Sequence, residues 1–246
     1  MTANPEAWLG VLVLALYLQD ALLFLAPDEA VLVECARGRW QAAFGARGWK
    51  LAGREVLLPA LFHPHRPLFR LRWRMDGDTP EPPIAGRGVA PSPQALRRLA
   101  PFAWGAWMAL FVVLPLGLYT RLGGPVVLAA IVLVCLNNLM ALWMAYRWRD
   151  RLGLDGRSVL LNGLECLACA PYGINLVPRL CARMQVQEDF VHAAHRLLGP
   201  SERAEADRQC LARIDEQIDA HPEGGVLAQA LQAGRRRFQP AVEQPA

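Results

Sequence analysis

The chain has 246 residues, 54% hydrophobic and 20% charged, with mean hydropathy +0.18 and a formal net charge of +4. Soluble domains average about 45–50% apolar and about 25% charged residues, and here the apolar surplus is gathered into blocks, which excludes a simple soluble globule. So small a net charge gives no basis for nucleic-acid binding, and the 26 basic residues are all arginine except Lys50, a skew that matches GC-rich bacterial coding better than a polybasic ligand site.

Residues 1–26 form an N-terminal tail and a first apolar run. Trp8 to Ala26 carries a single charge, Asp20. At 1.5 Å per residue it is about long enough to cross a hydrocarbon core of roughly 30 Å. The preceding MTANPE has no Lys or Arg, and Phe24-Leu25-Ala26 makes a poor cleavage site, so the run reads as a retained anchor and not a signal peptide. Residues 27–75 have strand character. Glu29 to Glu34, Trp40 to Phe44 and Trp49 to Leu58 are short apolar segments punctuated by glycine, and Leu68 to Trp73 alternates apolar and basic with period two. A small antiparallel sheet of three to four strands is expected. Residues 76–98 are a linker and lead-in, with five Pro and three Gly among the 18 positions 76–93.

Residues 99–148 read as a transmembrane hairpin. Pro101 to Tyr119 and Pro125 to Tyr146 are almost free of charge and are separated only by Thr120 to Gly124. Trp104, Trp107, Trp143 and Trp148 fall at the ends that share one membrane face, where amphipathic rings are favoured. Twelve Lys/Arg lie in 27–100 and thirteen follow Tyr146, against one in 120–124 and none in 1–7. The positive-inside bias then gives three spans with the N-terminus out and the C-terminus in. Cys135 lies inside the third span and the other five cysteines on the cytosolic side, so reduced thiols are expected rather than disulfides.

Residues 149–238 form a helical cytosolic region. Its apolar stretch 158–181 holds Asn162, Glu165, Asn175, two prolines and two glycines, which argue against a fourth span and for a segment packed on the bundle or lying in the interface. Glu188 to Leu198, Ser201 to Ala220 and Gly225 to Phe238 read as helices, with Ser201 as an N-cap. Residues 239–246 read as a tail.

Three constellations could carry chemistry. Asp20, Asn137 and Asn138 sit at about the same depth, roughly 18 Å from the outer ends of their spans, and ionisable groups in lipid point by default to ion or proton handling or to interhelical hydrogen bonding. A contact between Asp20 and one of the two asparagines is expected. Cys166 and Cys169, followed by His192 and His195, superficially resemble a four-ligand zinc set, with a longer gap than zinc fingers use. His63-Pro64-His65 has no nucleophile or acidic partner beside it and reads as a rigid corner. No catalytic, P-loop or dinucleotide motif occurs, so neither a catalytic residue nor a cofactor is expected.

The sequence thus predicts an α-helical integral membrane protein of the bacterial inner membrane, multi-pass, with a β-rich cytosolic insert. Its expected role is a non-enzymatic accessory or scaffold whose partners are the lipid bilayer and a protein or a second copy of itself. The alternative is a membrane enzyme or small transport component using Asp20 or the His and Cys groups.

Overall fold

The computed structural model describes residues 5–35, 38–58, 63–75, 88–89, 93–121, 123–184, 186–220 and 226–243. The chain is mostly helical, with two small antiparallel sheets near the N-terminus. It divides into two compact units, each assembled from separated stretches: residues 1–23, 58–67 and 92–185 in the first, and 24–57, 68–91 and 186–246 in the second.

The first unit is helical. It contains α1 (Pro5–Ala21), α2 (Pro93–Arg97), α3 (Ala100–Met108), α4 (Leu114–Tyr119), α5 (Gly123–Arg147), α6 (Arg149–Leu152), α7 (Gly156–Ala168) and α8 (Leu176–Arg183). A π-helical stretch, Ala109–Val113, joins α3 to α4 without a break in direction. Its cause is Pro115, which has no N–H to donate. One residue earlier the Leu114 N–H reaches back five residues to Ala109 O, and the ladder widens there. Among the described residues, two helices are long and apolar enough to cross a membrane, Gln94–Tyr119 and Gly123–Arg147, and Trp8–Ala21 is a shorter apolar helix.

The first apolar run is not helical throughout. The helix stops at Ala21, the Leu22 N–H closes the last turn on Leu18 O, and Leu23–Leu25 becomes strand β1. An apolar run suits helix or strand equally, and pairing with another strand decides the matter here.

The first unit's core joins Val13 and Tyr17 of α1 to Leu110, Leu114, Val134 and Ile174, with the Tyr17 and Phe111 rings edge to face at 5.6 Å. Packing is inverted relative to a water-soluble bundle. Small residues lie inside, among them Ala103, Ala106, Ala130, Ala141 and Ala145, while Leu128, Ile131, Leu136, Leu139 and Met140 project outward and exposed.

In the second unit, β2 (Glu29–Glu34), β3 (Trp40–Ala43) and β6 (Leu68–Arg72) form one sheet in the order β3-β2-β6. Strands β1, β4 (Ala46–Leu51) and β5 (Arg54–Leu57) form another in the order β1-β5-β4. The expected single sheet is therefore two. Glycine explains the tight β4–β5 hairpin: Ala52 and Gly53 both take positive φ, 50° and 76°, as a two-residue hairpin turn of this hand requires. On β6 the alternation holds, with Leu68, Phe69 and Leu71 buried and Arg70 and Arg72 exposed.

Helices α9 (Phe190–Leu197), α10 (Pro200–Ala220) and α11 (Val226–Glu243) complete this unit. Asp189 caps α9, accepting from the Val191 N–H at 2.8 Å and the His192 N–H at 3.4 Å. Helix α10 starts at Pro200 and not from a Ser201 cap; the Ser201 hydroxyl instead donates to Glu202 at 3.1 Å. Helix α11 continues past Phe238 into the expected tail. Phe44, Trp73 and Phe190 stack mutually at 5.5–5.9 Å between ring centroids. Most of the expected linker lies outside the described residues, but Val89 is fully buried and donates its N–H to Glu188 at 2.9 Å.

Candidate functional site

The densest chemistry in the first unit is a polar network formed by α1, α7 and α8. Arg179 of α8 stands at its centre. Its Nη1 donates to Asp20 of α1, its Nε to Asn162 Oδ1 at 2.9 Å, and its Nη2 to Glu165 of α7. Asn175 donates from Nδ2 to Asp20 Oδ2 at 3.1 Å and to the Tyr17 carbonyl at 3.5 Å. Arg183 lies one turn beyond Arg179, so it meets the same neighbour on α7: Nη2 donates to both Glu165 oxygens at 2.8 Å, and Nη1 to Ser158 O at 3.3 Å. The Arg179 guanidinium also lies over the Tyr172 ring, 4.6 Å from its centroid.

Two carboxylates face two guanidiniums, so the network is electrically balanced. Each polar group serves another segment of the chain, which makes the network a clasp. Two nearby voids are small. One of about 70 Å³ is lined by Leu110, Leu114, Ala130, Ile131, Val134, Cys135 and Ala170. The other, about 10 Å³, lies beside Asn138, Asn162 and Cys166.

The expected contact between Asp20 and Asn137 or Asn138 is not made. Asn138 donates to the Cys166 carbonyl at 2.9 Å and Asn137 to the Phe102 carbonyl at 2.9 Å, while Asp20 turns to α8. Both asparagines sit in tight seams. A Cβ at Gly105 would meet Asn137 Oδ1 at 2.6 Å, and one at Gly173 would collide with the Asn138 amide. Equal depth along two helices leaves the facing direction undetermined, and the third segment took the partners.

Cys166 is buried in α7, but the helix ends at Ala168, so Cys169 leaves the i, i+3 register that would have aimed both thiols together. His192 and His195 lie on α9 in the second unit, where His195 Nε2 pairs with Asp207 at 3.0 Å. Among the described residues, no group of three or more His, Cys, Asp or Glu is placed to hold a metal ion. The His63-Pro64-His65 corner is a turn closed by the Arg66 N–H on the His63 carbonyl at 3.2 Å, with His65 packed on Trp104 at 5.4 Å. Burial first, and the Arg66 charge second, hold both imidazoles below their usual pKa and favour the neutral rings.

Among the described residues, the second unit holds several buried charge sites and a groove. Arg213 of α10 donates from Nη2 to Glu55 at 2.6 Å and to the Gly45 carbonyl at 3.0 Å, with its guanidinium 4.6 Å from the Phe44 ring centroid. Glu29 accepts from the Ala26 N–H at 2.8 Å, from Arg70, and from Arg72 Nε at 2.9 Å. The groove, about 730 Å³ and open to solvent, runs between β3 and α10. Its lining includes Gln41, Ala42, Phe44, Glu202, Glu205 and Gln209.

Glu29 carries a pH prediction. Burial alone would raise its carboxyl, but the Ala26 N–H and the two arginines outweigh burial and hold it below the ordinary range. A depressed carboxylate stabilises the fold above its unfolded pKa, about 4.3, and that contribution is lost as pH falls through the lower folded value. Thermal unfolding followed from about pH 6 to about pH 3 is expected to show a shallower decline for Glu29→Gln than for the natural chain. Parallel declines would contradict this.

Comparison with known protein families, curated proteins and solved structures found no match to the chain.

Proposed function

We propose that the chain is a multi-pass protein of the bacterial inner membrane that works as a non-enzymatic accessory or scaffold, presenting a cytosolic groove to a partner protein. Three spans carry it: α1, the helix from Ala100 to Tyr119, and α5. The N-terminus is out and the C-terminus in. Small residues inside and large apolar residues outside are what helices solvated by lipid require, since close backbone approach drives their association. The arginine distribution gives the orientation.

The observation that carries the functional reading is the groove between β3 and α10. Among the described residues β3 is an edge strand of its sheet, and edge strands accept an added extended segment. Glu202 and Glu205 on the opposite wall favour a segment bearing Arg or Lys. In the first unit, by contrast, the charged groups that would serve transport or catalysis are engaged with one another.

The test is photo-crosslinking in living cells from a benzophenone residue placed at Gln41 or Gln209. A discrete heteromeric adduct is expected, weakened when Glu202 and Glu205 are changed to Lys. An adduct at twice the chain's own mass would make a second copy the partner, and absence of any adduct would remove the groove from the account. If Asp20→Asn reproduces the phenotype of deleting the gene at unchanged abundance, the accessory reading falls, and the transport or catalytic one replaces it.

A further inference from the structure

We infer that residues 156–183 form a half-membrane hairpin: α7 enters the bilayer from the cytosolic side along α5, the chain turns near mid-depth, and α8 returns to the same side, with acyl chains covering the outer face of α7. This rests on the reading of α5 as a span. The contacts of α7 with α5 fix the register. Gly156 lies against Tyr146, where a Cβ would sit 3.5 Å from the ring, and a Cβ at Gly163 would collide with Leu142. Cys166 meets Asn138 through the 2.9 Å hydrogen bond to its carbonyl. The two helices are therefore antiparallel, and α7 climbs from the Arg147 end of α5 towards its middle. Ala170 then lines a void with Leu110, Val134 and Cys135, and Val134 stands 13 residues from Arg147, about 20 Å along the axis. Half of a hydrocarbon core is about 15 Å. Helix α5, about 37 Å long at 25 residues, outruns a core of roughly 30 Å by about 7 Å, so with the excess shared between its ends the turn stands about 16 Å deep, close to the mid-plane.

A chain that turns inside lipid must bond its own broken backbone, and this one does. In the turn Ala170–Gly173 the Tyr172 N–H donates to Cys169 O at 3.0 Å and the Ile174 N–H to Pro171 O at 3.1 Å. Asn138 takes the Cys166 carbonyl near the end of α7, and Asn175 takes the Tyr17 carbonyl near the end of α1. Charge is handled likewise, because Asp20 and Glu165 are matched by Arg179 and Arg183. Such balance is what charged groups at membrane depth require.

The outer face of α7 points to lipid as the occupant. Leu160, Leu161 and Leu164 are exposed, and Leu164 exposes 60% of its surface, as much as Leu136 on the outward face of α5. In the register above, these leucines lie at the levels of Leu139, Met140 and Trp143, which are also exposed, so one apolar surface continues from α5 onto α7. At 13 residues α7 is too short to span and of a length that suits re-entrant segments.

The experiment uses the full chain with its natural cysteines replaced. A single nitroxide is placed at Leu136, Leu139, Leu160 or Leu164, in vesicles of phosphatidylethanolamine and phosphatidylglycerol. All four side chains are exposed, so the label displaces no packing. Collision of the label with oxygen, which concentrates in lipid, is compared with collision with a water-soluble nickel chelate. Oxygen is expected to dominate at all four sites, with the oxygen-to-nickel ratio rising from Leu160 to Leu164. Nickel-dominated labels at Leu160 and Leu164, beside oxygen-dominated ones at Leu136 and Leu139, would overturn the hairpin and leave the span intact. Nickel dominance at all four would overturn the span and the hairpin with it. Spin–spin broadening with low collision of both reagents at Leu160 and Leu164 would put a second copy on that face and overturn lipid as its occupant.

Discussion

Arg213→Met is expected to lower the stability of the second unit by about 3–5 kcal/mol, the usual cost of removing one partner from a buried ion pair. Arg213 and Glu55 expose only 1% and 3% of their side chains, so their attraction is little screened by water. The substitution leaves a carboxylate without its countercharge and the Gly45 carbonyl without its donor. Methionine keeps much of the apolar stem, so the loss measures charge and hydrogen bonding rather than a cavity. Adding Glu55→Gln should return a large part of the loss, because the isolated buried charge is then gone. Pulse proteolysis of the full chain in urea reads both effects. An Arg213→Met chain within about 1 kcal/mol of the natural one would mean that Glu55 is not stranded as an uncompensated buried charge, and would overturn the expectation.

Periodicity and composition found the long elements and lost the short choices. Pro101 to Tyr119 and Pro125 to Tyr146 were legible because an almost uncharged apolar run of about 20 residues is far longer than a strand and matches a membrane-spanning helix. Leu68 to Trp73 was legible because its alternation admits a strand alone. Leu23–Leu25 was not, since its residues are as apolar as the body of α1 and only pairing with β5 separates them. The candidate site failed for a related reason. Counting residues gave the depth of Asp20, but depth does not fix the direction a side chain faces, and its partners came from α8. One signal for them was available. Arg179 and Arg183 stand one helical turn apart in an apolar stretch, and lone charges in apolar segments find countercharges. Asp20 and Glu165 were the acids in comparable surroundings. Nothing in the linear order revealed the Arg213–Glu55 pair, whose members are separated by 158 positions.

Arg179→Met is expected to cost about as much as the first substitution, roughly 3–5 kcal/mol, but through a different arrangement. Arg183 still holds both oxygens of Glu165, so the group left bare is Asp20, with Asn175 as its remaining donor. Side chains of Arg179 and Asp20 are only 17% and 9% exposed. The change also removes the bond to Asn162, so α1, α7 and α8 lose their common tie. Asp20→Asn should cost far less alone, because an amide oxygen still accepts from Arg179, and it should offset much of the Arg179→Met loss when the two are combined. A double-mutant cycle on steady-state abundance and urea midpoints separates the cases. A large coupling energy identifies the network as the clasp that fixes the 156–183 segment against α1. Strict additivity would instead mean that apolar packing through Ile174, Val177 and Leu180 holds it, with the charges only avoiding penalty. The distinction bears on function, since a rigid clasp makes the first unit a fixed platform, whereas a proton path through Asp20 would need that clasp to open.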